Sequence, residues 1–244
     1  MNQAGLFVTA GDLRREAGSS SAILGAELGA YISQNVTGHM TIGLGWGKTL
    51  TSALPAIVPR QSAGVRVLSL LGGLTRVSAV NPSEFAWRVA DRLSADCHML
   101  TAPVFTPDRD TRSALMTHPG IAEIFSRAKA LDMAAVSVGA LKPHSAFYEY
   151  GLLKQAEIAS LEEAGAVGNV LCHFIDAEGH IVPHPVNERV LAVNPMDLQA
   201  TRNVVLVSGG WRKLTVIRAA LKLLRPAALI VNEAVAESLA NEPR

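Results

Sequence analysis

The sequence predicts an α/β domain, a mostly parallel sheet with helices on both faces. Short apolar runs typical of buried strands alternate with amphipathic helical segments almost throughout the 244 residues. Several of these runs end directly in glycine or proline, as strands do before a tight turn. With 49% hydrophobic and 18% charged residues, the chain can bury a sizeable core. We therefore predict one domain over residues 19–244, preceded by an arm or linker over residues 1–18.

Local patterns predict each element in turn. Serines at 19–21 can cap the first helix, whose apolar face carries Ile23, Leu24 and Leu28. Pro82 after Asn81 marks the start of a later helix. Strands are predicted at residues 39–44, 64–71, 97–102, 133–138, 170–175, 189–192, 203–207 and 227–231. Helices are predicted at residues 19–35, 49–58, 83–95, 108–116, 121–130, 154–164, 211–224 and 233–240, with a hairpin turn at 176–179 and irregular structure at 142–151.

The glycines and prolines that end the strands should meet at one place. The carboxyl ends of parallel strands share one edge of a sheet, and ligands of open α/β sheets bind beyond that edge. The loops concerned hold residues 43–47, 72–73, 103, 139 and 209–210. Glycine lets a backbone approach a ligand closely. We predict a binding site at this edge; the alternative is that each glycine only serves its own turn.

The strongest candidate among these loops is the segment GLGWGKTL at residues 43–50. A glycine turn before a helix leaves backbone N–H groups free, and a helix N-terminus favours an anion. Lys48 adds a positive charge and Thr49 a hydroxyl. A P-loop would need glycine in place of Ile42, and a dinucleotide fingerprint would need it in place of Lys48 or Leu50. We predict a phosphate cradle; the alternative is a glycine turn with nothing bound.

A second lysine and a polar pair follow two other strands. Lys213 comes just after the glycines at 209–210, in the first turn of a predicted helix, where a cation is unfavourable unless an anion lies nearby. Two lysines so placed indicate a phosphate-bearing ligand, and exposed lysines are the alternative. Asn232 and Glu233 follow the last strand and would suit sugar hydroxyls. The alternative is that Asn232 is only an N-cap and Glu233 a first-turn acid.

Composition excludes several classes of protein. The net charge of +1 gives no basic footprint for nucleic acid. Cys97 and Cys172 stand apart in apolar surroundings, which indicates buried free thiols and a reducing compartment. We find no signal peptide and no apolar run long enough for a membrane span. We expect a soluble, cytoplasmic protein.

The sequence shows no metal, cofactor or nucleophile pattern. His180 and His184 have a metal-like spacing, but prolines at 183 and 185 put them in a loop without further ligands. No serine lies in a G-x-S-x-G elbow, and no nucleophile has an evident base. We predict no cofactor and no catalytic residue.

Six segments in order resemble one known family. Residues 43–50 are similar to its pattern G-x-x-W-G-x-T-L, and residues 165–169 to its A-V-G-D. The other segments are residues 71–73, 101–104, 174–179 and 208–221. Together they resemble the effector-binding domain of the SorC/DeoR family of bacterial sugar-responsive transcriptional regulators, over residues 20–239. This resemblance implies a fold similar to glucosamine-6-phosphate deaminase, ribose-5-phosphate isomerase and CoA transferases, a phosphorylated sugar effector, no catalysis, and dimers or tetramers.

The strand-end loops and the resemblance together predict a set of ligand-binding residues. This set is Gly45, Trp46, Gly47, Lys48, Thr49, Gly72, Gly73, Pro103, Gly168, Asn169, Gly210, Lys213, Asn232 and Glu233. The phosphate is predicted at residues 45–49 with Lys213, and the sugar at residues 72–73, Asn169 and residues 232–233. The sequence departs from the family where Asn169 replaces an aspartate and Asn232-Glu233 replaces D-E. No helix-turn-helix is visible, so DNA contact is expected only through such a domain absent from this chain.

Three functions remain open. The leading hypothesis is a ligand-sensing domain that binds a sugar phosphate without turnover. The second is a sugar-phosphate isomerase or deaminase on the same sheet, with Glu233 or Glu149 as the general base. The third is an interaction module that has lost ligand binding and joins oligomers of a full-length regulator.

Overall fold

The computed structural model describes residues 5–9, 17–74, 81–141, 147 and 150–241. The strands in these residues are β1 (Gly5–Thr9), β2 (Thr41–Leu44), β3 (Arg66–Ser69), β4 (Asp96–His98), β5 (Met133–Val136), β6 (Val138–Ala140), β7 (Gly168–Val170), β8 (His173–Ile175), β9 (Asn203–Val207) and β10 (Ala228–Asn232). The helices are α1 (Ala17–Asn35), α2 (Lys48–Thr51), α3 (Pro82–Leu93), α4 (Arg109–Met116), α5 (Pro119–Ala128), α6 (Gln155–Glu163), α7 (Pro185–Glu188), α8 (Leu214–Leu224) and α9 (Glu233–Ala240). Short 3-10 helices lie at Leu54–Ala56, Pro195–Ala200 and Trp211–Lys213. Among these residues, no helix has both the length and the apolar character that a membrane span needs.

Seven parallel strands form the main sheet, in the order β1-β10-β9-β5-β2-β3-β4. All neighbouring pairs in this sheet run parallel. This arrangement confirms the predicted fold class. The strand predicted at residues 203–207 and the helix at 233–240 have the predicted bounds.

The sheet is buried on both faces, as alternate residues of β9 show. Val205 and Val207 pack with α1, α2 and α3 in one apolar cluster. Val204 and Leu206 pack with α5, α6 and α8 in a second cluster on the other face. Successive side chains of a strand point to opposite faces, so a strand covered on both sides reads as a continuous apolar run. This explains why these strands carry no polar alternation.

The chain changes direction across the sheet between β2 and β5. After β2 it continues outward through α2 to β3 and β4, and after β5 it continues the opposite way to β9 and β10. α2 belongs to the cluster on one face, and the segments after β5 belong to the cluster on the other. The carboxyl ends of β2 and β5 therefore diverge at a topological switch point, where open α/β sheets bind their ligands.

A small antiparallel sheet of β6, β7 and β8 covers one face. The single strand predicted at residues 170–175 is therefore wrong: β7 and β8 form a hairpin that turns at Leu171 and Cys172. Both turn residues have positive φ, 49° and 63°, although neither is glycine or asparagine. A two-residue turn of this kind normally carries Asn-Gly, so the sequence gives no sign of it. The predicted strand 133–138 also divides, because β5 ends at Val136 and β6 joins the small sheet.

Other boundaries differ from the prediction for local reasons. Residues 5–9, predicted as part of an arm or linker, form the edge strand β1 beside β10. The helix predicted at 49–58 ends at Thr51, and Pro55, which cannot donate a backbone hydrogen bond, lies in a 3-10 turn. β4 ends at His98 because the following chain turns to pair with Gly73. Most of the segment 142–151, predicted to be irregular, lies outside the described residues.

Candidate functional site

The loop after β2 lies at the switch point and is tied to β5. The Gly45 N–H donates to the Ala135 carbonyl oxygen at 2.9 Å, which continues the ladder between the two strands. Gly47 has φ 123° and ψ 165°, a conformation open essentially to glycine alone. A Cβ atom at Gly47 would meet none of the described residues within 4 Å. Glycine is therefore needed here for its backbone conformation rather than for space.

Trp46 anchors this loop in the core. Its ring packs edge-on against Phe147, with 6.1 Å between ring centroids. Burial raises the pKa of the Cys172 thiol, and a hydrogen bond from the Trp46 side chain offsets a smaller part of that rise. Thr49 is also buried. These two predicted ligand residues thus contribute packing under the loop, while Gly47 and the exposed Lys48 face outward.

Lys48 and Lys213 come together from two separate loops. The Lys48 ammonium lies over the Tyr150 ring, 5.9 Å from its centroid. Burial lowers the pKa of Lys213, and the charge of Lys48 lowers it further. This effect of Lys48 requires the two ammonium groups to lie within electrostatic range. The structure thus brings the two predicted phosphate cations to one region of the sheet edge.

The loop after β9 is joined to the end of β10. The Gly210 N–H donates to Asn232 Oδ1 at 3.0 Å. Gly210 has φ 93°, and a Cβ there would meet nothing within 4 Å. Asn232 holds the N-cap position of α9, but its side chain makes no capping hydrogen bond to that helix. Its oxygen thus fixes the loop that leads to Lys213, and the adjoining Glu233 is exposed.

The glycine pair after β3, at residues 72–73, packs against the loop that follows β4. A Cβ at Gly72 would come within 2.4 Å of the Ala102 carbonyl oxygen. Gly73 N–H donates to the same oxygen at 2.8 Å, and Gly73 bridges to Pro103. The loop after β4 therefore accounts for the glycine at 72 without a ligand. Pro103 and Gly73 remain at the same sheet edge as the glycine loop.

Gly168 and Asn169 are engaged inside the small sheet. A Cβ at Gly168 would come within 2.5 Å of both Val216 and the Gly139 carbonyl oxygen. Asn169 is 2% exposed; its Nδ2 donates to the Gly139 carbonyl, and its Oδ1 accepts the Cys172 N–H. In this conformation both ends of the amide serve the β7–β8 hairpin. Asn169 could hydrogen-bond a sugar only if its side chain gave up these two hydrogen bonds.

Ser208 is a polar residue of this edge that the sequence reasoning missed. It follows the last residue of β9, and its N–H continues the ladder by donating to the Ile230 carbonyl oxygen at 3.1 Å. The side chain is 0% exposed, and among the described residues its hydroxyl has no hydrogen-bond partner. The sequence did hold a signal for it, because Ser208 stands between a buried valine run and two glycines. Alanine would fill the same space without a polar atom, so a serine there indicates a use for its hydroxyl.

The histidines with metal-like spacing serve local structure. His180 Nδ1 lies 3.3 Å from Asp176 Oδ2, within the predicted hairpin turn. His184 Nδ1 accepts the N–H of Val186 at the start of α7, and its Nε2 lies 3.0 Å from Ser160 Oγ. Within the described residues, no group of three or more His, Cys, Asp or Glu side chains could hold a metal ion.

A surface cleft of about 840 Å³ has none of the predicted site residues in its lining. Its lining includes the starts of α4 and α6 and the end of α7. Three acidic side chains (Asp108, Glu157, Glu188) and three basic ones (Arg109, Lys154, Arg189) line it. Glu157 and Arg189 form an ion pair across it. Its charges are balanced, in contrast to the lysine pair at the sheet edge.

Comparison with known proteins places the chain among bacterial regulators. The model of the family described as "Putative sugar-binding domain" matches residues 8–241. The erythritol catabolism regulatory protein EryD of Brucella abortus is 30% identical over 206 residues, which cover 84% of this chain and 65% of that protein. The deoxyribonucleoside regulator of Bacillus subtilis is 29% identical over 87% of this chain and 68% of its own length. The chain thus spans about two thirds of the length of these relatives.

Solved structures agree on the fold. The full-length sorbitol operon regulator SorC from Klebsiella pneumoniae superposes with a TM-score of 0.85 at 21% identity, covering 96% of this chain and 75% of that one. A domain of a possible sugar-binding transcriptional regulator from Arthrobacter aurescens TC1 gives a TM-score of 0.88 at 20% identity, covering 98% and 93%. The family match over nearly the whole chain shows that this protein belongs to the sugar-binding domain family of SorC/DeoR-type transcriptional regulators.

Proposed function

We propose that the domain senses a phosphorylated sugar, bound non-covalently at the carboxyl edge of the main sheet, on behalf of a sugar-responsive transcriptional regulator. One observation supports this proposal: Lys48 and Lys213, which follow two different strand ends, lie close enough for the charge of Lys48 to lower the pKa of Lys213. Two cations that disfavour each other in the ligand-free chain become favourable when an anion lies between them.

The phosphate would lie against the loop at residues 45–49. Gly47 and Gly210 leave open space before the backbone, and the N–H groups that begin α2 lie in the same loop as Lys48. A phosphate monoester carries nearly two negative charges at neutral pH and accepts several charge-assisted hydrogen bonds. It would therefore remove the unfavourable interaction between the lysines and bind both loops at once.

The sugar would extend from the phosphate toward the end of β10. Asn232 already orients the Gly210 loop, and Glu233 presents an exposed carboxylate next to it. Amide and carboxylate groups suit polyhydroxylated ligands. The names of the relatives refer to erythritol, deoxyribonucleosides and sorbitol, which supports a small polyhydroxylated effector. Gly73 and Pro103, at the same sheet edge, would border the sugar, whereas Asn169 would reach it only if the hydrogen bonds of its amide were broken.

A thermal-shift series tests this function directly. Ribose 5-phosphate, 2-deoxyribose 5-phosphate, erythritol 4-phosphate and sorbitol 6-phosphate are compared with their unphosphorylated forms and with AMP. A ligand that binds only the folded chain stabilises it by RT ln(1 + [L]/Kd), which is about 2.7 kcal/mol at a hundredfold excess over Kd. We expect at least one sugar phosphate to raise Tm more than its unphosphorylated form. A shift with AMP and with none of the sugar phosphates would contradict the proposal.

We infer binding without catalysis. A sugar-phosphate isomerase or deaminase needs a general base within hydrogen-bond reach of the substrate proton. Among the described residues, Glu233 is the carboxylate next to the proposed sugar position, and it is exposed on the first turn of α9. Glu149, the other candidate base, lies outside the described residues. Product formation from ribose 5-phosphate or glucosamine 6-phosphate, lost in Glu233→Gln, would instead show an enzyme.

We propose further that the domain acts as a homo-oligomer, a dimer or tetramer, and that DNA contact is made by a helix-turn-helix domain of a longer regulator. Light scattering after size exclusion measures the first of these. An interaction module without a ligand would instead form mixed oligomers with a full-length regulator and give no thermal shift with any sugar phosphate.

A further inference from the structure

The hydroxyl of Ser208 is a buried polar group at the carboxyl end of β9. Its side chain is 0% exposed, and Oγ has no hydrogen-bond partner in the part of the chain that the structure describes. A buried hydroxyl without a partner is costly, because it has lost its water and gained nothing in return. Such a group in a folded chain calls for an explanation in terms of strain, function or a partner that is not yet bound.

Ser69 provides a matched comparison within the same sheet. It ends β3 as Ser208 follows β9, and it is equally buried at 0% exposure. Its Oγ donates to the Leu71 carbonyl oxygen at 2.8 Å. The fold can thus satisfy a buried serine at a strand end with its own backbone. It does so at Ser69 and does not at Ser208.

Strand alternation sets the direction of the Ser208 side chain. Val204 and Leu206 belong to the apolar cluster on the face that carries α8 and the small sheet, and Ser208 follows at the same spacing. Two of the proposed ligand loops border this face: Leu171 of the hairpin is the nearest neighbour of the Cβ position of Gly45, and Lys213 immediately precedes α8. Ser208 therefore lies beneath the loop that carries Gly210.

We propose that the Ser208 hydroxyl recognises the sugar and is hydrogen-bonded only in the ligand-bound state. The inference rests on the proposed function and adds one recognition residue to it. The partner is a hydroxyl of the sugar, since the phosphate is already matched by two lysines. Binding moves the backbone at residues 209–210 and opens Oγ to the ligand; these two residues are glycines, whose backbone adopts more conformations than that of other residues. The hydroxyl is unsatisfied without ligand and satisfied with it, so it favours the bound conformation.

The test compares Ser208→Ala with Ser69→Ala in the full chain. Affinities for the four sugar phosphates named above and for inorganic phosphate are measured by calorimetry, and Tm is measured without ligand. Ser208→Ala should weaken binding of the sugar phosphate that wild type binds by about tenfold, the size of one good hydrogen bond, and leave inorganic phosphate unchanged. Its ligand-free Tm should equal or exceed that of wild type. Ser69→Ala should lower the ligand-free Tm and keep wild-type affinity.

Each result decides the inference. Wild-type affinity in Ser208→Ala would overturn it and leave the proposed function standing. A ligand-free Tm that falls in Ser208→Ala as far as in Ser69→Ala would also overturn it, because the hydroxyl would then be bonded in the ligand-free chain. If wild type bound no sugar phosphate, the proposed function and this inference would both fail. If Ser208→Ala did not fold, Ser208→Cys, which keeps a side chain of similar shape but a poor hydrogen-bonding group, should show the same selective loss.

Discussion

Lys48 and Lys213 lie close enough at the sheet edge for the charge of Lys48 to lower the pKa of Lys213. One residue begins α2 after β2, and the other precedes α8 after β9, so only the folded chain brings them together. Burial of Lys213 adds to the effect and is its larger cause. The ligand-free chain thus holds positive charge where the fold offers open backbone, and an anion would relieve it.

Lys48→Ala should weaken binding of a sugar phosphate by about 1.5–3 kcal/mol, the usual range for a hydrogen bond to a charged group. Titration calorimetry with the sugar phosphate that gives the largest thermal shift measures the change. Lys129→Ala is the matched control, because Lys129 is exposed and lies before β5, at the opposite edge of the sheet. Equal affinity in wild type and Lys48→Ala would place the phosphate elsewhere.

Lys213→Met should weaken the same binding but stabilise the ligand-free chain. The lowered pKa means that the folded chain holds the Lys213 proton less tightly than the unfolded chain, whose pKa is about 10.4. Folding stability must therefore rise with pH below that value as the charge is lost, and the contribution vanishes above it. Chemical denaturation between pH 7 and 10 should show wild type gaining stability relative to Lys213→Met. A constant difference over this range would contradict the shift.

Much of the sheet could be predicted because buried parallel strands are continuous apolar runs. β9 has the predicted bounds for this reason. The hairpin at Leu171-Cys172 could not be predicted, since its two turn residues are apolar and the turn is imposed by the core around it. A turn can be predicted from residue type only where its backbone conformation favours particular residues, such as glycine or asparagine.

Some residues of the candidate site could be predicted from the sequence, and others could not. Lysines and glycines at strand ends are visible in the sequence, because they break the apolar pattern. Asn169 has the right type and position, but the fold uses both ends of its amide for the hairpin. The unsatisfied hydroxyl of Ser208 is a property of three-dimensional packing, and a sequence cannot show which buried serine lacks a partner.

The buried His173 should make the fold sensitive to acid. Burial lowers the pKa of His173 to about 4, and the charge of Arg112 makes a smaller contribution in the same direction. The His173 Nδ1 lies 3.2 Å from the Leu171 carbonyl oxygen. The unfolded chain takes up this proton near pH 6.5, so stability is intact above that value and falls as pH drops toward 4. The loss amounts to roughly 3 kcal/mol for one such group.

Denaturation at pH 7, 6 and 5 measures this loss. His173→Gln should lose less stability than wild type over that range, although it starts from a lower value. His118→Gln, at an exposed helix start, should follow the wild-type profile. A wild-type profile in His173→Gln would assign the acid sensitivity to other groups.

Alanine variants at Gly47 and Gly73 distinguish a glycine needed for its backbone conformation from one that is not. Gly47→Ala must hold alanine at φ 123°, which costs about 1–3 kcal/mol even though nothing lies within 4 Å of the new Cβ. At Gly73→Ala the nearest described atoms belong to the Asn81 and Ser83 side chains, at 3.6–3.9 Å, and φ is not positive, so the effect on the free energy of unfolding should stay under about 1 kcal/mol. Denaturant titration of both variants gives the comparison.

In the proposed function, the loop must keep this conformation to receive a phosphate. Gly47→Ala should therefore bind the sugar phosphate more weakly than wild type even under conditions where both proteins are fully folded. Equal stability of the two variants would show that Gly47 can relax, and that the positive φ is not what the site requires.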